Sequence, residues 1–100
     1  LAEAILAIIN NKDYQNEENS TEIYHYSNEG EISWYEFAKE VFKIERVECK
    51  VAPITTQQYP TLARRPNFST LNKRKIKKDF DIIKILSWKN SLKQCLIRII

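Results

Sequence analysis

Apolar residues open the chain at Leu1, Ala4, Ile5, Ile8 and Ile9, the i, i+3, i+4, i+7, i+8 spacing of an amphipathic helix, which Asn10 and Asn11 close. Residues 13–20 (DYQNEENS) are polar throughout and read as a surface loop. Glu22 to Ser27 carries Ile23, Tyr24 and Tyr26, side chains that favour extended backbone, and predicts a strand ending in the turn Asn28-Glu29-Gly30. Ser33 followed three residues later by Glu36 is a capping box. The helix it starts places Trp34, Phe37, Ala38, Val41 and Phe42 on one face, with Trp34 read as a core residue. Val47 to Ile54 predicts a second strand, stopped by Thr55 and Thr56, before a loop stiffened by Pro60 and Pro66. Asn72 can cap a short basic helix running to about Phe80. Ser87 can cap a last helix with Trp88, Leu92, Cys95, Leu96 and Ile99 on a common face. The expected fold class is α+β, about four helices and two short strands in one domain over residues 1–100.

Composition narrows the function classes. A hydrophobic share of 43% and a charged share of 29% fit an ordinary soluble chain. No apolar run approaches the ~20 residues of a membrane span, so no membrane partner is expected. Cys49 and Cys95 stand apart from each other with one histidine in the whole chain, too few ligands for a zinc site. Cys95 reads as a small buried hydrophobe and the compartment as a reducing cytoplasm. With Gly30 as its only glycine, the chain has no dinucleotide-binding turn and no P-loop. It contains no methionine, and an opening of LAEAILAII reads as a piece of something longer.

Charge then singles out one region. Residues 1–50 hold 5 basic and 11 acidic side chains; residues 51–100 hold 11 basic and 2 acidic. Such a dipolar domain points one face at an anion. Seven of the basic residues fall between Arg64 and Lys78, with no acid among them. Arg65 is the leading ligand candidate: Pro66 pushes it toward extended backbone, and its planar fork suits a diphosphate. The other reading of Arg65, a pair with a carboxylate of the acidic half, stays open. Asn67, Ser69 and Thr70 could donate to phosphate, although turn and capping duty is their commoner employment. Lys73, Arg74, Lys75, Lys77 and Lys78 crowd one short helix and read as a solvated basic face. His25 sits between two tyrosines with no acid or thiol beside it and reads as a packing residue. Tyr24, Tyr26 and Trp34 could shape a sugar or base pocket near the Asn28-Glu29-Gly30 turn.

Five segments carry a resemblance: Tyr24 to Gly30 (YHYSNEG), Ser33 to Ala38 (SWYEFA), Pro53 to Thr56, Tyr59 to Leu71, and Trp88 to Leu92. In this order and spacing the chain resembles the C-terminal, substrate-binding part of the dTDP-4-dehydrorhamnose reductases, within the extended short-chain dehydrogenase/reductase superfamily. The resemblance implies a dTDP-sugar as ligand, gripped by Arg65 and Asn67, and a partner in the missing N-terminal NADP-binding domain. It also implies that NADPH and the catalytic Tyr-x-x-x-Lys pair belong to that missing part, leaving this fragment inactive alone and with no cofactor of its own. The string Tyr35-Glu36-Phe37-Ala38-Lys39 mimics that pair, but no glycine-rich loop precedes it, and coincidence is the better reading. Two other functions are weighed: a non-catalytic relative of the methionine adenosyltransferase regulatory subunit, and a nucleic-acid module. The second is disfavoured because the basic cluster shares its chain with an acidic half, so no nucleic acid is expected. Helices with whole apolar stripes leave exposed area in the isolated fragment and a tendency to self-associate.

Overall fold

The computed structural model describes residues 1–11 and 21–99, so the loop predicted at 13–20 lies outside the described residues. Among the described residues four α-helices form where the sequence places them: α1 (Ala2–Ile9), α2 (Trp34–Glu45), α3 (Arg74–Asp79) and α4 (Trp88–Ile99). A 3-10 turn, Thr56–Gln58, was not expected; it is built on a second capping box, in which Thr55 N–H donates to Gln58 Oε1 at 2.7 Å.

The two expected strands do not form. Among the described residues, 21–28 and 47–55 run without regular secondary structure, so the α+β expectation is corrected to helices joined by irregular segments. The reason is lateral: β-branched and aromatic side chains suit a pleated surface but do not make one without a neighbour. Glu29 N–H donates to Leu86 O at 2.9 Å, and no ladder extends from that contact among the described residues. The segment before Glu29 is held by side chains instead. Tyr24 Oη donates to Asp79 Oδ2 at 2.8 Å, and Lys75 Nζ donates to Ile23 O at 3.2 Å.

The chain forms two compact units, each assembled from two stretches. The first comprises Leu1–Glu29 and Thr70–Leu86. Its buried residues are Ala4 on α1, Ile76 on α3, Phe80 just beyond α3, and the basic residue Lys73. Ile76 is the most deeply buried large side chain, and the Phe80 ring meets Tyr24 edge-on at 5.2 Å. Burying an Ile or Phe is worth roughly 1.5–3 kcal/mol each, which makes this pair the main anchor of α3. The short helix itself, rich in like charges, would not persist without it.

The second unit comprises Gly30–Ser69 and Ser87–Ile100. Here α2 packs on α4, with the Phe37 and Trp88 rings 6.4 Å apart and Lys89 reaching Glu40 at 3.9 Å. The predicted capping box opens α2: Ser33 N–H donates to Glu36 Oε2 at 2.8 Å, and Glu36 N–H donates to Ser33 Oγ at 3.2 Å. Its far end closes on Arg46, in the left-handed region at φ 54°, with Val47 N–H returning to Phe42 O at 2.9 Å. Two sequence readings are corrected here. Trp34 is 79% exposed rather than core, and Cys95 is exposed rather than buried. Of the shared face of α4 only Leu92 is fully buried. An apolar stripe offers a face for burial, and it is taken only where a covering surface lies opposite.

Candidate functional site

The site predicted from sequence lies in the segment that follows the 3-10 turn. Every residue from 52 to 72 is exposed, including Ile54, Leu62 and Phe68. Thr61 Oγ1 donates to Ala63 O at 2.8 Å, a local turn that sets up the approach to Arg64 and Arg65. Arg65 and Asn67 are both exposed, and among the described residues neither makes a hydrogen bond or an ion pair. The alternative reading of Arg65, a carboxylate partner in the acidic half, has no counterpart among those residues. The guanidinium, bracketed by Arg64 and Pro66, is presented to solvent with its donors open.

In the basic helix Arg74, Lys75, Lys77 and Lys78 are exposed, as a solvated face requires, and the reading needs correcting at Lys73. Lys73, just before α3, is buried; its ammonium donates to Asn28 O at 2.7 Å and lies 3.5 Å from Glu29 Oε2. Lys77 pairs with the other oxygen of the same carboxylate. Lys75 pairs with Glu22 and sits 4.6 Å above the Tyr24 ring centre. The Glu29 carboxyl is held below the ordinary carboxylate range, chiefly by its hydrogen bond from Lys77 and further by the nearby Lys73 charge, against a smaller opposing effect of desolvation. A buried ammonium is tolerable only with partners of this kind. Sequence reasoning missed the cluster, although its signal was present: acids spaced through Glu22 to Glu29 and bases spaced through Lys73 to Lys77. Asn72 contributes by accepting from Arg74 N–H at 3.0 Å.

Beside this cluster an open depression of about 380 Å³ is lined by Glu29, Lys77, Asp81, Ile83 and Ile85. Two carboxylates face one ammonium there, so it lacks the excess of positive potential that an anion site needs. His25 is exposed, between the partly buried Tyr24 and Tyr26. In the Tyr35–Lys39 string, the Lys39 ammonium lies 5.2 Å over the Tyr35 ring, a surface contact one helical turn apart. Gly30 is committed elsewhere: at φ +105° it presses on Trp88, where an added Cβ would come within 2.6 Å of Cδ1. The described residues therefore form no glycine-lined cradle for a dinucleotide. No group of three His, Cys, Asp or Glu side chains among them could hold a metal ion. What the geometry offers is an exposed guanidinium at Arg65 with no partner among the described residues.

Compared with known proteins, the chain matches the RmlD substrate binding domain along residues 1–100. It belongs to that family. The RmlD-type domain is 42% identical over 78 residues to a dTDP-4-dehydrorhamnose reductase of Aggregatibacter actinomycetemcomitans, covering 71% of this chain and 26% of that protein. It is 40% identical over 76 residues to one of Sinorhizobium fredii, covering 72% and 25%. A spore coat polysaccharide biosynthesis protein, SpsK of Bacillus subtilis, is 35% identical over 74 residues, covering 74% and 25%. The domain thus spans about a quarter of the length of the curated relatives it matches. No solved structure matches it. Two of the segments that carried the resemblance meet in space, since Gly30 of YHYSNEG packs against Trp88 of the last helix. Among the described residues of this RmlD-type domain, no helix is long and apolar enough to cross a membrane.

Proposed function

We propose that this domain binds the nucleotide part of a dTDP-sugar within a cytoplasmic, NADPH-dependent dTDP-4-dehydrorhamnose reductase that makes dTDP-L-rhamnose for surface polysaccharide. Arg65 grips the diphosphate and Asn67 donates beside it. Hydride transfer to the C4 ketone is assigned to a part of the enzyme outside these residues.

The observation that carries this reading is the state of Arg65: exposed, followed by Pro66, and without a partner among the described residues. A guanidinium fork can take two phosphate oxygens at once, which a lysine cannot do with the same directionality. The paired lysines support the same reading from the other side. Lys75 pairs with Glu22 while Lys73 and Lys77 share Glu29, so the basic stretch presents less free charge than its sequence suggests and makes a poorer duplex-binding face.

Calorimetric titration of the full-length protein with dTDP tests it. Saturable binding is expected, weakened about 10- to 100-fold in Arg65→Ala, the loss typical of a hydrogen bond to a charged group. An unchanged Kd would remove Arg65 from the site. No dTDP binding by the wild type, together with a stable complex with another enzyme, would move the domain to the regulatory-subunit reading.

A further inference from the structure

The second unit holds an aromatic chain that the fold does not need for its own burial. Trp34 is 79% exposed at the start of α2, yet its ring is not loose: Phe37 meets it edge-on, with centroids 6.1 Å apart and planes at 85°. Phe37 in turn meets Trp88 at 6.4 Å, and Trp88 is pressed by the backbone of Gly30. An indole that large buries 150–250 Å² when covered, and leaving it in water forfeits that gain. Here its position is fixed by a row of rings running back into the α2–α4 contact, while most of its own surface stays open. Tyr59 and Phe68, the other well-exposed aromatics of this unit, have no ring partner among the described residues.

We propose that Trp34 is the stacking platform for the planar base of the nucleotide. This rests on the reading of Arg65 as the diphosphate ligand, which lies in the same unit. A nucleoside diphosphate has a doubly ionised end and a flat π surface, and the unit supplies one exposed group for each: the Arg65 guanidinium and the ring-held indole of Trp34. A pre-positioned ring gives up little conformational freedom when the base settles on it, so most of the stacking gain appears as affinity. Stacking is tolerant of base identity, because every base has a π-face.

The test uses the full-length protein with three ligands: inorganic pyrophosphate, dTDP and a dTDP-hexose. Trp34→Ala is expected to weaken dTDP and dTDP-hexose about 5- to 100-fold while leaving pyrophosphate affinity unchanged. Trp34→Phe should restore most of the loss, and the melting temperature of both variants should stay close to wild type because the side chain is exposed. Arg65→Ala should weaken all three ligands. Loss of dTDP-hexose affinity alone in Trp34→Ala would place the indole against the hexose and overturn the proposal, as would no loss for either nucleotide. If Arg65→Ala leaves pyrophosphate binding intact, the diphosphate reading fails, whichever way Trp34 behaves.

Discussion

Replacing Gly30 with alanine tests whether the turn and the last helix are locked together. Two separate costs follow from the geometry. At φ +105° an L side chain occupies a region that costs roughly 1–2 kcal/mol. The new Cβ would also lie 2.6 Å from Trp88 Cδ1 and 3.2 Å from Nε1, closer than van der Waals contact allows, so the indole or the turn must shift. Overpacking of this kind typically costs about 1–3 kcal/mol. Together, roughly 2–5 kcal/mol is lost from a domain whose total stability, at about 0.05–0.15 kcal/mol per residue, is of the order of 5–15 kcal/mol. In thermal unfolding that is a fall in Tm of about 10 °C or more. Urea unfolding followed by tryptophan fluorescence measures the loss, and a cycle with Trp88→Ala separates the two parts. In the Trp88→Ala background the steric part vanishes and only the backbone part, about 1–2 kcal/mol, should remain. A cost below about 0.5 kcal/mol in the wild-type background refutes the strained turn; equal costs in both backgrounds refute the contact with Trp88.

Ser33→Ala removes the acceptor for Glu36 N–H and is expected to cost about 1 kcal/mol by urea titration, with a loss of α2 helicity; no loss would mean the cap contributes nothing. Arg46→Gly relieves a non-glycine residue at φ 54° and should stabilise by about 1 kcal/mol, whereas a destabilised variant would show that the arginine side chain matters more than its backbone. The Glu29 carboxyl ionises below its ordinary value of 4.5 when folded, so its pairs with Lys77 and Lys73 contribute fully above that pH and are lost as pH falls through the depressed value. Stability measured from neutral pH downward should therefore begin to drop near pH 4.5, and Glu29→Gln should flatten part of that drop. A wild-type and variant profile of identical shape would remove Glu29 from the acid response.

The helices were legible because each is encoded locally. Ser33 and Glu36 are three residues apart and need nothing else to form their box, and the stripes of α1, α2 and α4 follow from spacing alone. The strands were not, because a strand is a relation between segments: Ile23 and Tyr24 have the right side chains, but their neighbours turned out to be Lys75 and Asp79 of a helix. Trp34 and Cys95 were misread for a related reason, since periodicity says which face is apolar and not whether anything covers it. The exposure of Arg65 could not be read from sequence either, as a buttressing and a ligand-facing arginine look alike there. Lys73 shows the opposite failure. A lysine in a run of lysines is ordinarily solvated, and only the pairing of Asn28 and Glu29 with that one ammonium makes its burial tolerable.

The two compact units are interleaved along the chain, which constrains how the molecule can be made or dissected. The first needs Thr70–Leu86 as well as Leu1–Glu29, and the second needs α4 as well as Gly30–Ser69. During synthesis each unit thus waits for a stretch made well after its first part, leaving the aromatic row uncovered meanwhile. No single cut leaves both units intact, because a stretch of each lies between the two stretches of the other.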